Sequence, residues 1–158
     1  MYILEARSSG TERLIPVHSR ATNKTTYRLE CEVVVPLLKG ALDMRRYRFE
    51  DISRYIIFPY DNGQLIPAVE FAERYPNCWT YLLENRDTLA RREKDKMDHK
   101  GWYGYVYPKS LTLLNKPKLL TPSIANRASF SYDRNGEYYF MGSGGGGGGG
   151  YRILLNPE

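Results

Sequence analysis

Residues able to carry chemistry are unevenly spread along this 158-residue chain. Between Asp98 and Asp133 there is no acidic residue. Lys100, Lys109, Lys116, Lys118 and Arg127 give that segment a charge of +5, equal to that of the whole chain. The same segment holds Trp102, Tyr103, Tyr105, Tyr107, Phe130 and Tyr132. Cations interleaved with planar rings and free of carboxylates suit a nucleic-acid surface, because the cations neutralise phosphates and the rings pack on sugars and bases. The composition fits equally well a set of core strands flanked by solvated lysines, so the segment alone leaves both readings open.

No catalytic constellation accompanies it. His18 and His99 are far apart, and each reads as a surface or strand histidine. Ser143 sits in Met-Gly-Ser-Gly-Gly, which lacks the first glycine of a nucleophile elbow. The run Gly144 to Gly150 meets a Gly-x-Gly-x-x-Gly search only as any glycine run does, and it leads into strand-like Tyr-Arg-Ile-Leu-Leu rather than a helix. There is no Gly-Lys-Ser/Thr, which excludes a P-loop. Glu50-Asp51 reads as ordinary surface. Cys31 and Cys78 match no metal or redox spacing, and the Cys and His residues are too few and scattered for a metal site. A reducing cytoplasm is the expected compartment. No run of about 18 apolar residues predicts a membrane span, and Glu5, Arg7, Glu12 and Arg13 argue against a signal peptide.

The elements that must position the basic and aromatic residues follow from pattern. Hydrophobic residues are 42% and charged residues 26%, ordinary for a soluble fold of this length with a real core. One domain spanning residues 1–158 is expected. Leu14 to Val17 and Arg54 to Tyr60 read as strands, the second ending in an Asp61-Asn62-Gly63 turn. Glu30 to Leu38 reads as a short helix stopped by Gly40, although Pro36 strains that reading. Pro67 to Arg74 and Cys78 to Lys94 read as a helical hairpin broken at Tyr75-Pro76, with Asn77 as N-cap. Tyr103 to Tyr107, Lys118 to Thr121, Ala128 to Tyr132, Tyr138 to Met141 and Tyr151 to Leu155 read as strands, and Asp133 to Gly136 as a hairpin turn. The class is α+β, with short twisted strands in a β-helix-like or curved-sheet core and an inserted helical hairpin. The glycine run is either a linker or an ordered loop whose bare N–H groups admit a close backbone or phosphate.

Read in order, the landmarks are Val35 to Gly40, Arg45-Arg46-Tyr47, Tyr55 to Tyr60, Tyr75-Pro76 with Tyr81-Leu82, and Leu89 to Arg92. Trp102 with Tyr105, Lys116 to Pro122, Phe130 to Asp133 and the glycine run closing on Tyr151 complete the series. This series resembles the TaqI-like C-terminal specificity domain of type II adenine-N6 DNA methyltransferases and fused restriction-modification enzymes, from about Glu30 onward. The resemblance implies a target-recognition domain that holds duplex DNA while a catalytic domain of the same polypeptide, carrying S-adenosylmethionine, methylates a flipped adenine. The Asn-Pro-Pro-Tyr/Phe motif of that catalytic domain is missing here, so the resemblance implies a fragment that is inert by itself, with no cofactor of its own.

Candidate DNA contacts follow from residue chemistry and position. Arg45, Arg46 and Arg48 are placed to grip phosphates, as are Lys116 and Lys118 around Pro117. Ser123, Asn126 and Arg127 lie in a loop opened by Pro122. Asn reads adenine and Arg reads guanine, so Asn126 and Arg127 are the expected base contacts. Tyr151, where the glycine run closes, completes the set. Trp102 is expected in the core. Two other classes stay open: an RNA- or single-strand-binding module, and a protein-interaction domain docking through the charged helix.

Overall fold

The computed structural model describes residues 4–5, 13–19, 25–39, 43–45, 47–49, 52–140 and 149–154. In chain order the strands are β1 (Leu4–Glu5), β2 (Leu14–Ser19), β3 (Thr26–Glu30), β4 (Val34–Leu38), β5 (Met44–Arg45), β6 (Arg48–Phe49), β7 (Arg54–Ile57), β8 (Tyr60–Asp61) and β9 (Gln64–Leu65). Four helices follow: α1 (Ala68–Arg74), α2 (Pro76–Glu84), α3 (Arg86–Ala90) and the short α4 (Arg92–Asp95), whose backbone turns left-handed at Glu93 and Lys94. The last strands are β10 (Lys118–Pro122), β11 (Ser131–Asp133), β12 (Tyr139–Phe140) and β13 (Gly150–Leu154). The class is α+β with open mixed sheets. Among the described residues no helix is long and apolar enough to cross a membrane. The chain divides into two compact units, Met1–Val34 with Tyr55–Leu111, and Val35–Arg54 with Thr112–Glu158.

The first unit is built on strands in the order β7-β1-β2-β3, with β1, β2 and β3 antiparallel. Its core joins Leu4, Val17 and Leu29 of the strands to Phe71, Tyr81, Leu82 and Leu89 of the helices, and to Trp102 and Tyr103. Tyr81 is wholly buried and shares a 2.8 Å hydroxyl bond with Ser19. Glu30, the last residue of β3, caps α2 from a distance. Its carboxylate accepts the Asn77 and Cys78 N–H groups and the Asn77 amide, each at 2.9 Å. Burial pushes the Glu30 carboxyl pKa up, but these hydrogen bonds outweigh it and hold it below its ordinary value. Burial, then the neighbouring Glu30, pushes the Cys78 thiol far up, so it stays protonated and is no nucleophile.

The structure revises several sequence expectations. Glu30 to Leu38 is not a helix but the end of β3, a turn and β4; the β-branched run Val33-Val34-Val35 fits a pleated surface, and Pro36 disfavours a helix. Cys78 to Lys94 is not one helix: α2 ends at Asn85, whose side-chain amide donates to the Tyr81 carbonyl at 2.8 Å. Pro76, not a residue after Asn77, opens α2, so Asn77 lies inside it. Tyr103 to Tyr107 forms turns, not a strand. Tyr103 and Tyr105 donate their hydroxyls to the Ile66 and Ile57 carbonyls at 2.6 and 2.8 Å. Arg92 clamps the same stretch through the Trp102 and Gly104 carbonyls. The Asp61-Asn62-Gly63 turn closes β8 on β9 as expected, with φ of +47° and +81° at Asn62 and Gly63.

In the second unit β10 is the centre of a three-stranded antiparallel sheet, order β11-β10-β13, and β12 pairs parallel with β4. The Asp133 to Gly136 turn therefore forms without closing a hairpin. Gly136 is required there: φ is +71°, and a Cβ would lie 2.3 Å from the Asn115 carbonyl oxygen. Leu38, Met44 and Leu120 form the small core, with Phe49 stacked on Tyr138 at 4.0 Å.

Candidate nucleic-acid interface

Alternation along β10 sorts the second unit's sheet into two faces. Lys118, Leu120 and Pro122 are buried; Leu119 and Thr121 turn to the other side. The register sets Leu119 between Tyr132 and Ile153, and Thr121 beside Tyr151. Tyr132 is 48% exposed, Tyr151 61% and Ile153 46%, and Phe130, two residues before Tyr132, is exposed too. Six side chains thus make an open face of rings and aliphatic groups, none of them charged. Exposed rows of this kind are where a sheet can meet a partner, which makes this face the candidate site.

Cations stand at the two ends of this face. Lys116 is exposed just before β10 begins. Arg127 and Asn126 are exposed in the loop that follows β10. The five residues of β10 separate these ends by about 16 Å. The loop is anchored where the glycine run re-enters the sheet: Ser123 donates both its N–H and its hydroxyl to the Gly149 carbonyl at 3.0 Å. Gly150 pairs with Pro122, and a Cβ there would lie 2.6 Å from the Thr121 carbonyl oxygen, so that position demands glycine. Ser123, Asn126, Arg127 and Tyr151 are therefore gathered at one end of the face and Lys116 at the other.

Lys118 is a correction. It is 0% exposed, and its ammonium donates to Asp133 Oδ2 at 2.6 Å, to the Leu114 carbonyl at 2.6 Å and to the Lys116 carbonyl at 3.3 Å. All three protons are used, so no outside phosphate can reach it. Burial lowers the Lys118 pKa, and Asp133 opposes this only in part. Asp133 also accepts the Glu137 and Tyr138 N–H groups, tying the turn to the sheet. Arg45 and Arg48 occupy facing positions in β5 and β6; Arg46 lies outside the described residues, as does most of the glycine run.

The charge is concentrated on this unit. It holds ten basic and six acidic residues, four of the chain's five net positive charges. Two of those acids are already neutralised, Asp133 by Lys118 and Asp43 by Arg54. The aromatic segment read from the sequence divides between the units. Trp102 and Tyr103 belong to the first unit's core, with Tyr105 half-buried beside it and Tyr107 exposed, and Phe130 and Tyr132 belong to the second unit's open face. Leu119 and Ile153 were missed as face residues, although the alternation in Lys118 to Thr121 and Tyr151 to Leu154 carried the signal. Among the described residues no cluster of His, Cys, Asp and Glu could hold a metal ion. Comparison with protein-family models and with curated proteins finds no match to this chain.

Proposed function

We propose that this chain is a DNA sequence-specificity domain, binding duplex DNA on behalf of a site-specific adenine-N6 methyltransferase domain that carries S-adenosylmethionine. The observation that carries the reading is the open face of β11-β10-β13: uncharged rings flanked at both ends by exposed cations on a unit with strong positive excess. Lys116 at one end supplies phosphate neutralisation. Asn126 and Arg127 at the other end are side chains able to read adenine and guanine edges. The ring face packs against sugars between them. Catalysis belongs to the partner domain, which flips the adenine while this domain holds the duplex and so offsets part of the unstacking cost. The function is exercised in the cytoplasm, where the DNA is.

A second reading draws on the same rings. Tyr132, Phe130 and Tyr151 on an open sheet also suit stacking of unpaired bases. Fluorescence-anisotropy titration of the full chain with a randomised duplex and a randomised single strand, over a salt series, separates the two. Duplex preference with a steep fall in affinity as salt rises supports the specificity domain. Single-strand preference gives the second reading. No binding of either at low salt overturns both.

A further inference from the structure

The hairpin of β5 and β6 turns in two residues, because Met44 faces Phe49 and Arg45 faces Arg48. Its second turn residue is Tyr47, with φ of +71°. Such a turn calls for left-handed backbone, which glycine and asparagine adopt at little cost and a bulky ring does not. The strained ring is not recovered by packing: Tyr47 is 76% exposed, the most exposed large hydrophobic residue of the chain's described part. A residue that strains the backbone and buries almost nothing contributes nothing to folding that glycine would not contribute better. Exposed Glu93, Lys94, Asp95 and Ser110 share positive φ, so the strain alone assigns no role; Tyr47 differs in placing a large exposed ring there.

Its position points to a binding role. Tyr47 forms a parallel bridge with Ser131, the first residue of β11. Ser131 stands between Phe130 and Tyr132, both on the open ring face. The sequence surrounds Tyr47 with Arg45, Arg46 and Arg48 and puts no acid between Asp43 and Glu50. A ring at a hairpin tip, within a basic segment and next to an aromatic face, matches a polyanion with planar groups.

We propose that Tyr47 is a wedge that packs its ring against a base step of bound duplex DNA. The inference rests on the DNA reading above and adds a contact residue to it. The test uses the full chain with Tyr47→Gly and Tyr47→Trp, read by melting temperature and by anisotropy with a randomised duplex. Tyr47→Gly is expected to melt a few degrees higher, because left-handed strain is relieved, and to bind roughly five- to a hundred-fold more weakly, because one stacked ring is lost. Tyr47→Trp is expected to keep its affinity within about three-fold, and its emission should be quenched by duplex beyond the change seen in the parent chain. Unchanged affinity of Tyr47→Gly, with Lys116→Ala and Arg127→Ala both weakened, overturns the wedge and leaves the DNA reading standing. Lower melting temperature in Tyr47→Gly assigns the ring to folding and overturns the wedge as well. A parent chain that binds no duplex removes both.

Discussion

In the first unit Phe71, Tyr75, Trp102 and Tyr103 are buried among ring contacts, and the hydroxyls of Tyr81, Tyr103 and Tyr105 are bound to Ser19 or to backbone carbonyls. In the second unit Tyr47, Phe130, Tyr132 and Tyr151 face solvent. The charges divide the same way: the first unit is nearly neutral and the second holds most of the excess. One composition thus supports two uses of aromatic residues. In the first most fill a core and satisfy backbone carbonyls; in the second Phe49 and Tyr138 stack in the small core, while Tyr47, Phe130, Tyr132 and Tyr151 are exposed on the unit that carries most of the positive excess. Stability should depend on buried polar pairs in both units, while binding should depend on exposed groups in the second alone.

The largest expected effect tests the stability half of that contrast. Lys118→Met leaves Asp133 buried without its cation, a loss of about 3–5 kcal/mol. Amide exchange should then show protection falling in β10, β11 and β13, while β2, β3 and α2 keep theirs. An equal fall throughout would mean that the two units unfold as one and that the contrast has no thermodynamic meaning. Restoring an apolar pair with Lys118→Met/Asp133→Leu should not recover full stability, because Asp133 also holds the Glu137 and Tyr138 N–H groups.

Glu30 gives the matching experiment in the first unit. Glu30→Gln should cost about 2 kcal/mol at neutral pH, because a charged acceptor of three N–H bonds becomes a neutral one. The pH dependence has a definite sign. The folded carboxyl titrates below the ordinary value of 4.5, so the folded state binds fewer protons than the unfolded state just below that pH. The stabilisation is fully present above about pH 4.5 and is lost as pH falls through the folded pKa. Urea melts of the parent chain should therefore lose stability more steeply on acidification than those of Glu30→Gln. Parallel curves would remove Glu30 as the cap of α2.

How much of this was legible in the sequence depended on the range of the interaction. The Asp61-Asn62-Gly63 hairpin, the α1–α2 break at Tyr75-Pro76 and the β10 strand bounded by prolines are local signals, and each formed. The cap of α2 was not legible, because its carboxylate comes from Glu30, 47 residues before Asn77. Nor was Tyr103 to Tyr107: its alternation is strand-like, but its hydroxyls and the Arg92 clamp hold it in turns. Lys118 shows the same limit for the candidate site. Beside Pro117 and Lys116 it reads as a surface cation, and only the register that sets it opposite Asp133 reveals an internal pair. The acid-free segment was visible as a single stretch, yet the fold assigns its halves to different units.

Binding predictions come next in size. Arg127→Ala should lower the ratio of specific to non-specific duplex affinity by about ten-fold, since a bidentate base contact is worth roughly 1–3 kcal/mol of discrimination. Lys116→Ala should weaken all duplexes about equally and reduce the slope of log affinity against log salt by about one. Selection of the target from a randomised duplex, followed by anisotropy on selected and scrambled duplexes, measures both. If the two variants exchange these behaviours, the two ends of the face have been assigned the wrong way round.

The smallest expected effect is the sharpest check on where binding resides. The first unit also has a cationic run, Arg91, Arg92, Lys94 and Lys96, but Glu93 and Asp95 alternate with it. Arg92 is committed to the Leu89, Trp102 and Gly104 carbonyls, and Lys96 sits 4.4 Å above the Tyr107 ring. Lys94 is exposed like Lys116, but acids flank it on both sides, and the nearby exposed Tyr107 ring is bonded to Glu93 and covered by Lys96. Lys94→Ala should leave duplex affinity within about two-fold and the salt slope unchanged, because a cation beside carboxylates releases few counterions on binding. A loss equal to that of Lys116→Ala would show that exposed positive charge suffices wherever it lies. The ring face of the second unit would then be a bystander, and the charged helical end of the first unit would have to be counted as part of the DNA surface.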